Sequence, residues 1–207
     1  MVVEDHVVVH PKVLYVGTPA YLIATQNADG TANLAPASSY WALGQTLVLG
    51  IESDGQTAEN LLERPEITVN FPSGGLWEAV VRLSVLTGRN PVPGNKVGRY
   101  RFEPHKFDAA GLTPQPSELV GPPRVAECDL QFEARVSRTT ESLDQSFYLV
   151  EADVVRVHAS PRILVADSDH IDPAAWHPLV YSFRHFFDRG AELGRVGVAS
   201  TAGAERP

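Results

Sequence analysis

Proline and glycine interrupt this chain too often for long helices to dominate its fold. Of its 207 residues, 16 are proline and 16 are glycine, and both residue types break helices and mark turns. Short turns, rather than long crossover connections, separate the apolar segments, and this spacing argues against a parallel nucleotide-binding sheet. We therefore expect a mainly β protein in which short antiparallel strands alternate with many turns.

Runs of apolar residues predict where the strands lie. Residues 21–26 and 31–34 predict a β-hairpin, because the Asp29-Gly30 pair between them supplies the positive φ that tight turns need. Continuous or alternating apolar runs predict further strands at residues 46–51, 67–71, 129–136 and 147–157. The clearest alternation places Leu130, Phe132, Ala134 and Val136 on one face, and Gln131, Glu133 and Arg135 on the other.

Two segments have helical patterns. Residues 57–64 predict a short helix that Thr57 caps and Pro65 ends. Apolar residues at helical spacing predict a second helix over residues 76–86. Strands before and after these few helices predict an antiparallel β-barrel with peripheral α-helices.

A long segment without a clear period interrupts the strand pattern. Residues 88–123 are rich in proline and glycine, and irregular segments of this length inside a compact domain tend to be functional. We expect one domain over residues 1–195 that includes this excursion. The small and polar residues 196–207 predict a disordered tail.

Composition excludes several classes of protein. The net charge is −8, with no run of lysine and arginine, so nucleic acid is not an expected partner. The apolar runs fall far below the ~20 residues of a membrane helix, so a membrane is not expected either. Cys128 is the only cysteine; it excludes an intrachain disulfide and predicts a cytoplasmic protein. We expect this cysteine to be a buried, small apolar residue.

The common catalytic and metal-binding motifs do not occur in this sequence. There is no Gly-x-Ser-x-Gly, His-Glu-x-x-His or Gly-x-Gly-x-x-Gly pattern, and the seven histidines are scattered without paired spacing. We therefore predict no metal site and no catalytic side chain.

The first informative stretch runs from Asn33 to Trp41 and reads Asn-Leu-Ala-Pro-Ala-Ser-Ser-Tyr-Trp. If the hairpin strand ends at the start of this stretch, the stretch is a turn with free backbone N–H groups and hydroxyls. Such a turn can lie flat against a ring and hydrogen-bond its heteroatoms, while Tyr40 and Trp41 offer apolar surface. The alternative interpretation is a serine-rich turn whose hydroxyls satisfy its own backbone.

The second stretch leads from Ser53 into the helix predicted at Thr57. A helix N-terminus with adjacent hydroxyls can bind an anion, although Thr57 alone could simply cap the helix. Nearby acidic residues would oppose a phosphate, so a basic residue must compensate them. The candidates are Arg89, Lys96 and Arg82, for each of which an ordinary solvated charge is the alternative. A ring site and a phosphate site close in sequence together suggest a mononucleotide.

These motifs occur in an order that resembles a known family. The order Pro19, Asp29-Gly30, Asn33-x-Ala-Pro-x-Ser38, Thr57-x-x-Asn60-Leu61 and Val69-Asn70 is similar to that of the flavin reductase-like FMN-binding split-barrel proteins. Residues 106–114 and 122–128 resemble the flavoredoxin-like branch. The resemblance covers residues 13–164 and continues more weakly to residue 194.

The resemblance implies a fold, a cofactor and an oligomer. It implies an antiparallel split β-barrel of the Greek-key type and a homodimer with FMN, or FAD as the other flavin, near the subunit interface. The residues implied to border the isoalloxazine or ribityl chain are Asn33, Ala35, Pro36, Ser38 and Ser39. Tyr40 is a further candidate for cofactor binding because of the apolar surface that it offers to a ring. Those implied at the phosphate end are Ser53, Gln56, Thr57 and Asn60. Arg89 and Lys96, the cations preferred to compensate the nearby acidic residues, are the other candidate cofactor-binding residues. Asn60 could instead brace a loop, and residues 106–114 would lie beside the flavin.

The resemblance also implies an activity. NADH or NADPH would transfer a hydride to the flavin, which passes electrons to free flavin, a partner monooxygenase or another redox protein. The alternatives are a tightly bound FMN that relays electrons, or a flavin-binding protein without NAD(P)H turnover of its own. A third alternative is a split barrel that has lost its cofactor and serves as a dimeric interaction module.

One departure from the family pattern concerns the activity directly. Many relatives carry a Gly-Asp-His-like stretch before the late barrel strand, where this chain has Gln145-Ser146-Phe147. Flavin binding is therefore a firmer expectation than NAD(P)H turnover. Phe147 could stack on a ring, but packing in the core is the favoured interpretation. For Tyr181, Phe183, Phe186 and Phe187 we expect core or dimer packing, with a flavin lid as the alternative.

Overall fold

The computed structural model of the chain describes residues 6–191, so the tail predicted at residues 196–207 lies outside the described residues. The strands are β1 (Val16–Pro19), β2 (Tyr21–Gln26), β3 (Ala32–Ala37), β4 (Tyr40–Leu43), β5 (Thr46–Glu52), β6 (Glu66–Phe71), β7 (Leu86–Thr87), β8 (Arg101–Phe102), β9 (Pro114–Gln115), β10 (Arg124–Val125), β11 (Leu130–Glu141), β12 (Phe147–Ala159), β13 (Val180–Ser182) and β14 (His185–Phe187). The helices are α1 (Gln56–Glu63), α2 (Trp77–Leu83) and α3 (Lys106–Ala110), with 3₁₀ turns at Gly74–Leu76, Gly94–Lys96 and Pro161–Ile163. Within residues 6–191, no helix has the length and apolar character needed to cross a bilayer.

Seven strands form one antiparallel sheet whose edges approach each other. The strand order is β3-β2-β6-β11-β12-β5-β4, so the edge strands β3 and β4 follow each other in the chain, separated by Ser38 and Ser39 alone. The Ser39 carbonyl accepts hydrogen bonds from the Tyr21 hydroxyl of β2 and the Gly50 amide of β5, at 3.0 and 3.2 Å. Because these strands flank opposite edges, the sheet must curl into a barrel that is split between β3 and β4. The predicted fold class is confirmed, and the ladder of the described strands is not closed.

The predicted hairpin is confirmed, but the turn predicted after it is wrong. Strand β3 continues through Pro36 to Ala37, and β4 begins at Tyr40, so residues 33–41 are two strands and a short link. Strand β3 is an edge strand, the position in a sheet where proline is accepted because an N–H on the outer side takes no part in the ladder. The serines of the link, rather than a long turn, lie at the split.

The two predicted helices are confirmed with different ends. Helix α1 begins at Gln56 after Gly55, so the prediction of Thr57 as its cap is wrong. The Thr57 hydroxyl is instead buried within the first turn, where it accepts a hydrogen bond from the Asn33 amide at 3.1 Å. Helix α2 ends at Leu83, because the chain turns there and Leu86 enters β7.

Two hydrophobic cores share strand β2. Successive side chains of a strand point to opposite faces, so β2 contributes Leu22 and Ala24 to one core and Tyr21 and Ile23 to the other. The first, which we call the outer core, also contains Leu34, Val80, Leu83, Phe107 and Leu179. The second, the inner core, lies between the barrel strands and α1 and also contains Leu49, Leu61, Ile67, Val69 and Val150.

The alternation predicted for β11 is confirmed, yet its polar face is also covered. Glu133 is fully buried beneath the 88–123 segment. Its carboxylate accepts hydrogen bonds from the Glu118 and Leu119 amides at 2.9 and 2.6 Å and lies 2.7 Å from His158 Nε2. The segment, irregular by sequence, contains α3 and the short strands β8 and β9 and is held on the barrel by this buried carboxylate.

Candidate functional site

A cleft of about 320 Å³ opens where the barrel is split, a volume in the range of small-molecule sites. Its walls are formed by Ala20 and Ile23, residues 35–39 of β3 and the serine link, residues 50–52 of β5, and residues 55–57 at the start of α1. The other walls are formed by Val80, Leu83, Ser84, Leu86 and Thr87, by Lys96, Tyr100 and Lys106 of the 88–123 segment, and by the aromatic residues Tyr15, Tyr181 and Phe186. The cleft therefore gathers parts of the chain that are far apart in sequence.

The structure brings most of the predicted site residues together. Those that line the cleft are Ala35, Pro36, Ser38, Ser39, Gln56, Thr57 and Lys96. Tyr40 and Ser53 line a neighbouring surface depression, shared with Trp41, Asn95 and Phe147. The Ser53 hydroxyl donates to the Gln145 carbonyl at 2.6 Å. Arg89 forms an ion pair with Glu59 and is not among the cleft-lining residues.

Asn33 and Asn60 lie behind the cleft wall and connect its parts. The Asn33 amide nitrogen donates to the hydroxyls of Thr25 and Thr57 at 3.2 and 3.1 Å. The Asn60 amide nitrogen donates to Thr25 and to the Asn27 side chain at 3.0 and 2.8 Å. Both asparagines therefore tie α1 to the β2–β3 hairpin. The contacts of Asn60 are those expected if this residue braces a loop, which is the alternative to cofactor binding given for it above.

Gly88 allows the start of the 88–123 segment to pass close to this network. A Cβ atom at Gly88 would lie 2.9 Å from both Asn33 Oδ1 and Gln56 Cβ, which is closer than non-bonded heavy atoms of these kinds approach without displacement. The absence of a side chain at Gly88 therefore lets the segment pack against the first turn of α1.

Lys96 has its charge neutralised by neighbouring carboxylates. Its ammonium group lies 2.6 Å from Asp54 Oδ1 and 2.9 Å from Glu52 Oε2, and 5.5 Å from the centre of the Tyr100 ring. Burial would lower the pKa of Lys96, but the hydrogen bonds to Asp54 and Glu52 raise it above its ordinary value. Of the other candidate cations, Arg82 donates to the Ala110 carbonyl at 2.7 Å and does not line the cleft.

Lys106 was not predicted as a site residue. It is 4% exposed, lines the cleft, and donates from Nζ to Asn33 Oδ1 at 2.9 Å. Burial, together with the positive charge of Lys96, lowers the pKa of Lys106 to about 8. Its position in the 106–114 motif was the available signal, but nothing in that pattern indicates burial of its charge.

Aromatic residues close another side of the cleft. The Tyr181 ring lies 5.4 Å from that of Tyr15 and 5.3 Å from that of Phe186, centre to centre. Tyr181 and Phe186 also pack against the outer core, as expected for the C-terminal aromatic stripe, whereas Phe183 and Phe187 are exposed. The Tyr15 hydroxyl hydrogen-bonds to the Ser39 hydroxyl at 2.8 Å, which ties this aromatic wall to the split.

Two further sequence interpretations have clear outcomes. Phe147 is 39% exposed at the surface depression, so its placement in the core is wrong; it begins β12 on the outer face of the sheet. Cys128 is buried, as predicted, and burial raises the pKa of its thiol. Among the residues that the structure describes, no three acidic, histidine or cysteine side chains are grouped as metal ligands.

The chain matches the model of the "flavin reductase like domain" over residues 13–189. It is 40% identical over 191 residues, 91% of each chain, to the uncharacterized protein YdfE of Bacillus subtilis (strain 168). Its fold is similar to that of flavoredoxin from Desulfovibrio vulgaris (Miyazaki F), with a TM-score of 0.77, 20% identity, and coverage of 97% of this chain and 100% of that one. Nitrilotriacetate monooxygenase component B from Bacillus cereus gives a TM-score of 0.73 at 17% identity, with coverage of 93% and 100%. A match over most of the length of a chain with this split barrel and cleft means that the protein belongs to the flavin reductase-like family.

Proposed function

We propose that this protein is an FMN-binding oxidoreductase that takes a hydride from NADH or NADPH and passes electrons to an acceptor. The observation that carries the proposal is the composition of the cleft, which combines apolar and aromatic walls with a buried lysine beside the first turn of α1. A planar ring fits apolar walls, and a phosphate fits a cation next to unpaired helix amides. The donor set therefore suits a phosphorylated flavin.

Each part of the cleft has a role toward such a ligand. Ser38 and Ser39 would present backbone and hydroxyl groups to the ring edge, while Tyr181 and Phe186 would exclude water from it. The first turn of α1, at Gln56 and Thr57, would hold the phosphate end. The flavin, when bound, supplies the hydride-accepting chemistry; the protein orients it and sets the charge around it.

A second candidate is a flavin-binding electron relay without NAD(P)H turnover of its own. Within the described part of the chain, none of the residues that line the cleft is a histidine. Where many relatives carry a histidine, this chain has Gln145-Ser146-Phe147, at the neighbouring depression. The similarity to a flavoredoxin is consistent with this candidate.

The same comparisons support one of the proposed partners. The similarity to a component of nitrilotriacetate monooxygenase supports a partner monooxygenase as acceptor, with free flavin or another redox protein as the alternatives. A homodimer with the flavin near the interface also remains our proposal, as does the cytoplasmic location suggested by the single cysteine.

The visible absorption spectrum of the purified protein tests the proposal. We expect either bound flavin or its uptake from added FMN, and loss of the flavin band after anaerobic addition of NADH or NADPH. A bound flavin that neither nucleotide reduces would favour the relay instead. Absence of binding of both FMN and FAD would contradict both candidate functions. The remaining alternative would then be a dimeric interaction module without a cofactor.

A further inference from the structure

The seven-stranded sheet ends in an edge strand that has none of the features by which edge strands usually avoid pairing. Strand β4 is the last strand in the sheet order, and its residues Trp41, Ala42 and Leu43 are exposed. Natural edge strands are protected by charged residues, proline or bulges. Strand β4 contains no charged residue and no proline, and its pairing with β5 is regular throughout. The outer backbone groups of β4 can therefore accept a further strand.

Two other edge strands have the protection that β4 lacks. Strand β3, at the opposite end of the same sheet, contains Pro36 and packs against α2 and α3. Strand β14 contains His185 and lies between Arg184 and Asp188 in the chain. The unprotected edge is thus a particular property of β4.

The same chain has an extended segment that belongs to no sheet. Residues 6–14, which we call the arm, contain no strand or helix, and within residues 6–191 their backbone groups form no hydrogen bonds. In the arm, Val7, Val8 and Val9 are 80%, 88% and 68% exposed. Consecutive β-branched residues favour a strand. The arm therefore has the composition of a strand without the pairing of one.

The arm starts close to the unprotected edge. The residue that follows it, Tyr15, hydrogen-bonds through its hydroxyl to that of Ser39 at 2.8 Å, and β4 begins directly after Ser39. An extended chain from Tyr15 back to Val8 spans up to about 24 Å, which exceeds the roughly 13 Å length of a four-residue strand. The arm does not pair with β4 of its own chain. Across a two-fold axis near the split, it can reach β4 of a second copy.

We propose that the arm of one copy adds as an extra strand to β4 of a second copy, and that the arm of the second copy returns to β4 of the first. This inference rests on the proposed homodimer and names the segments that hold it together. Because Tyr15 lines both the cleft and the neighbouring depression, the exchange takes place at the rim of the proposed flavin site.

The apolar surface available to this exchange is sufficient for a stable dimer. Each copy has seven exposed apolar side chains on the arm and on the sheet face around β4, namely Val7, Val8, Val9, Leu14, Trp41, Leu43 and Leu149. At roughly 100 Å² for each buried side chain, two copies would cover about 1,400 Å². Stable interfaces bury about 1,200–2,000 Å².

Cysteine cross-linking of the full-length protein tests the exchange. The background is low, because Cys128 is buried and burial raises the pKa of its thiol. Three double variants combine Ala42→Cys of β4 with Val7→Cys, Val8→Cys or Val9→Cys of the arm. After mild oxidation, a denaturing gel without reductant separates disulfides between chains from those within one chain, and mass spectrometry identifies the linked peptides. In the matched control Leu62→Cys replaces Ala42→Cys, since Leu62 is also exposed but lies on α1.

We expect pairs of chains joined between the arm and β4, with reaction either at positions 7 and 9 or at position 8, because successive side chains of a strand point to opposite faces. The Leu62→Cys control should form no disulfide between the arm and α1. Amide hydrogen exchange is a second measurement that needs no cysteine. Deletion of residues 1–10 should speed the exchange of β4 amides at least 10-fold and leave that of β6 unchanged.

Three results would overturn the exchange while leaving the homodimer intact. They are disulfides within one chain, equal reaction at all three arm positions, and a dimer that forms no disulfide between the arm and β4. Unchanged hydrogen exchange of β4 after the deletion would overturn it as well. A single-chain mass for the unaltered protein would overturn the homodimer, and this inference with it.

Discussion

The side chain of Asn33 joins three parts of the chain that are distant in sequence. It contacts Thr25 of β2, Thr57 of α1 and Lys106 of α3. Its position was predictable from the Asn-x-Ala-Pro-x-Ser pattern, and so was that of Thr57. What sequence could not supply is the use of these residues, because their hydrogen bonds depend on which segments the fold brings together. For the same reason the buried charge of Lys106 was missed.

Replacement of Thr57 by valine tests this network. Thr57→Val keeps the shape of the side chain but removes the hydroxyl that accepts the Asn33 amide. We expect FMN affinity to fall by roughly 3- to 10-fold, the effect of losing about one hydrogen bond, since the first turn of α1 and Asn33 lose their connection. Equilibrium titration with FMN measures the change. Thr57→Ser, which retains the hydroxyl, is the control. If both variants change the FMN affinity equally, the Thr57 hydroxyl does not determine that affinity.

At the scale of elements, the 88–123 segment is the part that sequence reasoning described least well. Periodicity predicts strands and helices because it repeats locally, and β2, β5, β6, β11 and β12 were found in this way. The segment is instead held by tertiary contacts, above all by Glu133 of β11, whose carboxylate accepts the Glu118 and Leu119 amides. The alternation of β11 showed which face Glu133 occupies, but not that another part of the chain covers it.

The Glu133 carboxylate should make the stability of the protein depend on pH. Burial alone would raise its pKa, but the hydrogen bonds from the Glu118 and Leu119 amides and from His158 hold the pKa below its ordinary value. A lowered pKa stabilises the folded state above the ordinary carboxyl pKa, and this contribution is lost as the pH falls through the lowered value. Glu133→Gln should cost about 2–3 kcal/mol at pH 7, because an amide NH₂ then faces backbone donors.

Urea unfolding at pH 7 and at several points between pH 3 and 5 measures both effects. The difference in unfolding free energy between the unaltered protein and Glu133→Gln should shrink as the pH falls. Glu141→Gln, an exposed substitution on the same strand, should leave stability within about 0.5 kcal/mol. A difference that stays constant down to pH 3 would show that the charge of Glu133 is not the source of the stabilisation.

At the scale of the whole molecule, the outer face of β4, β5 and β12 carries several exposed apolar side chains. Trp41 is paired with Val48, and Leu149 is paired with Gly50, so they point to the same side of the sheet. Trp41 is 53% exposed, and Leu43 and Leu149 are exposed as well. Exposed apolar patches of this kind mark interaction sites, and this one lies beside the cleft, where the proposed homodimer would place its interface.

Light scattering tests the proposed dimer. We expect a mass of twice the 22.5 kDa of one chain, and a shift toward the single-chain mass in Trp41→Glu, because a charge on this face opposes its burial. Leu62→Glu is the matched control, since Leu62 is similarly exposed but lies on α1, and it should leave the mass unchanged. A single-chain mass for the unaltered protein would contradict the dimer and leave this face to another partner.

The position of the cleft between the two cores also affects how the protein unfolds on heating. Val80 and Leu83 of the outer core form one part of its wall, and Ile23 and Ile51 of the inner core form another. A ring held among these four side chains would add apolar contacts that bridge the cores, and a ligand that binds only the folded state stabilises that state by mass action. The helices outside the barrel and the barrel itself would then melt as one cooperative unit, whereas without the ligand they can loosen at separate temperatures. Binding of a ligand in the cleft would thus change the number of thermal unfolding transitions and also raise the temperature at the midpoint of unfolding.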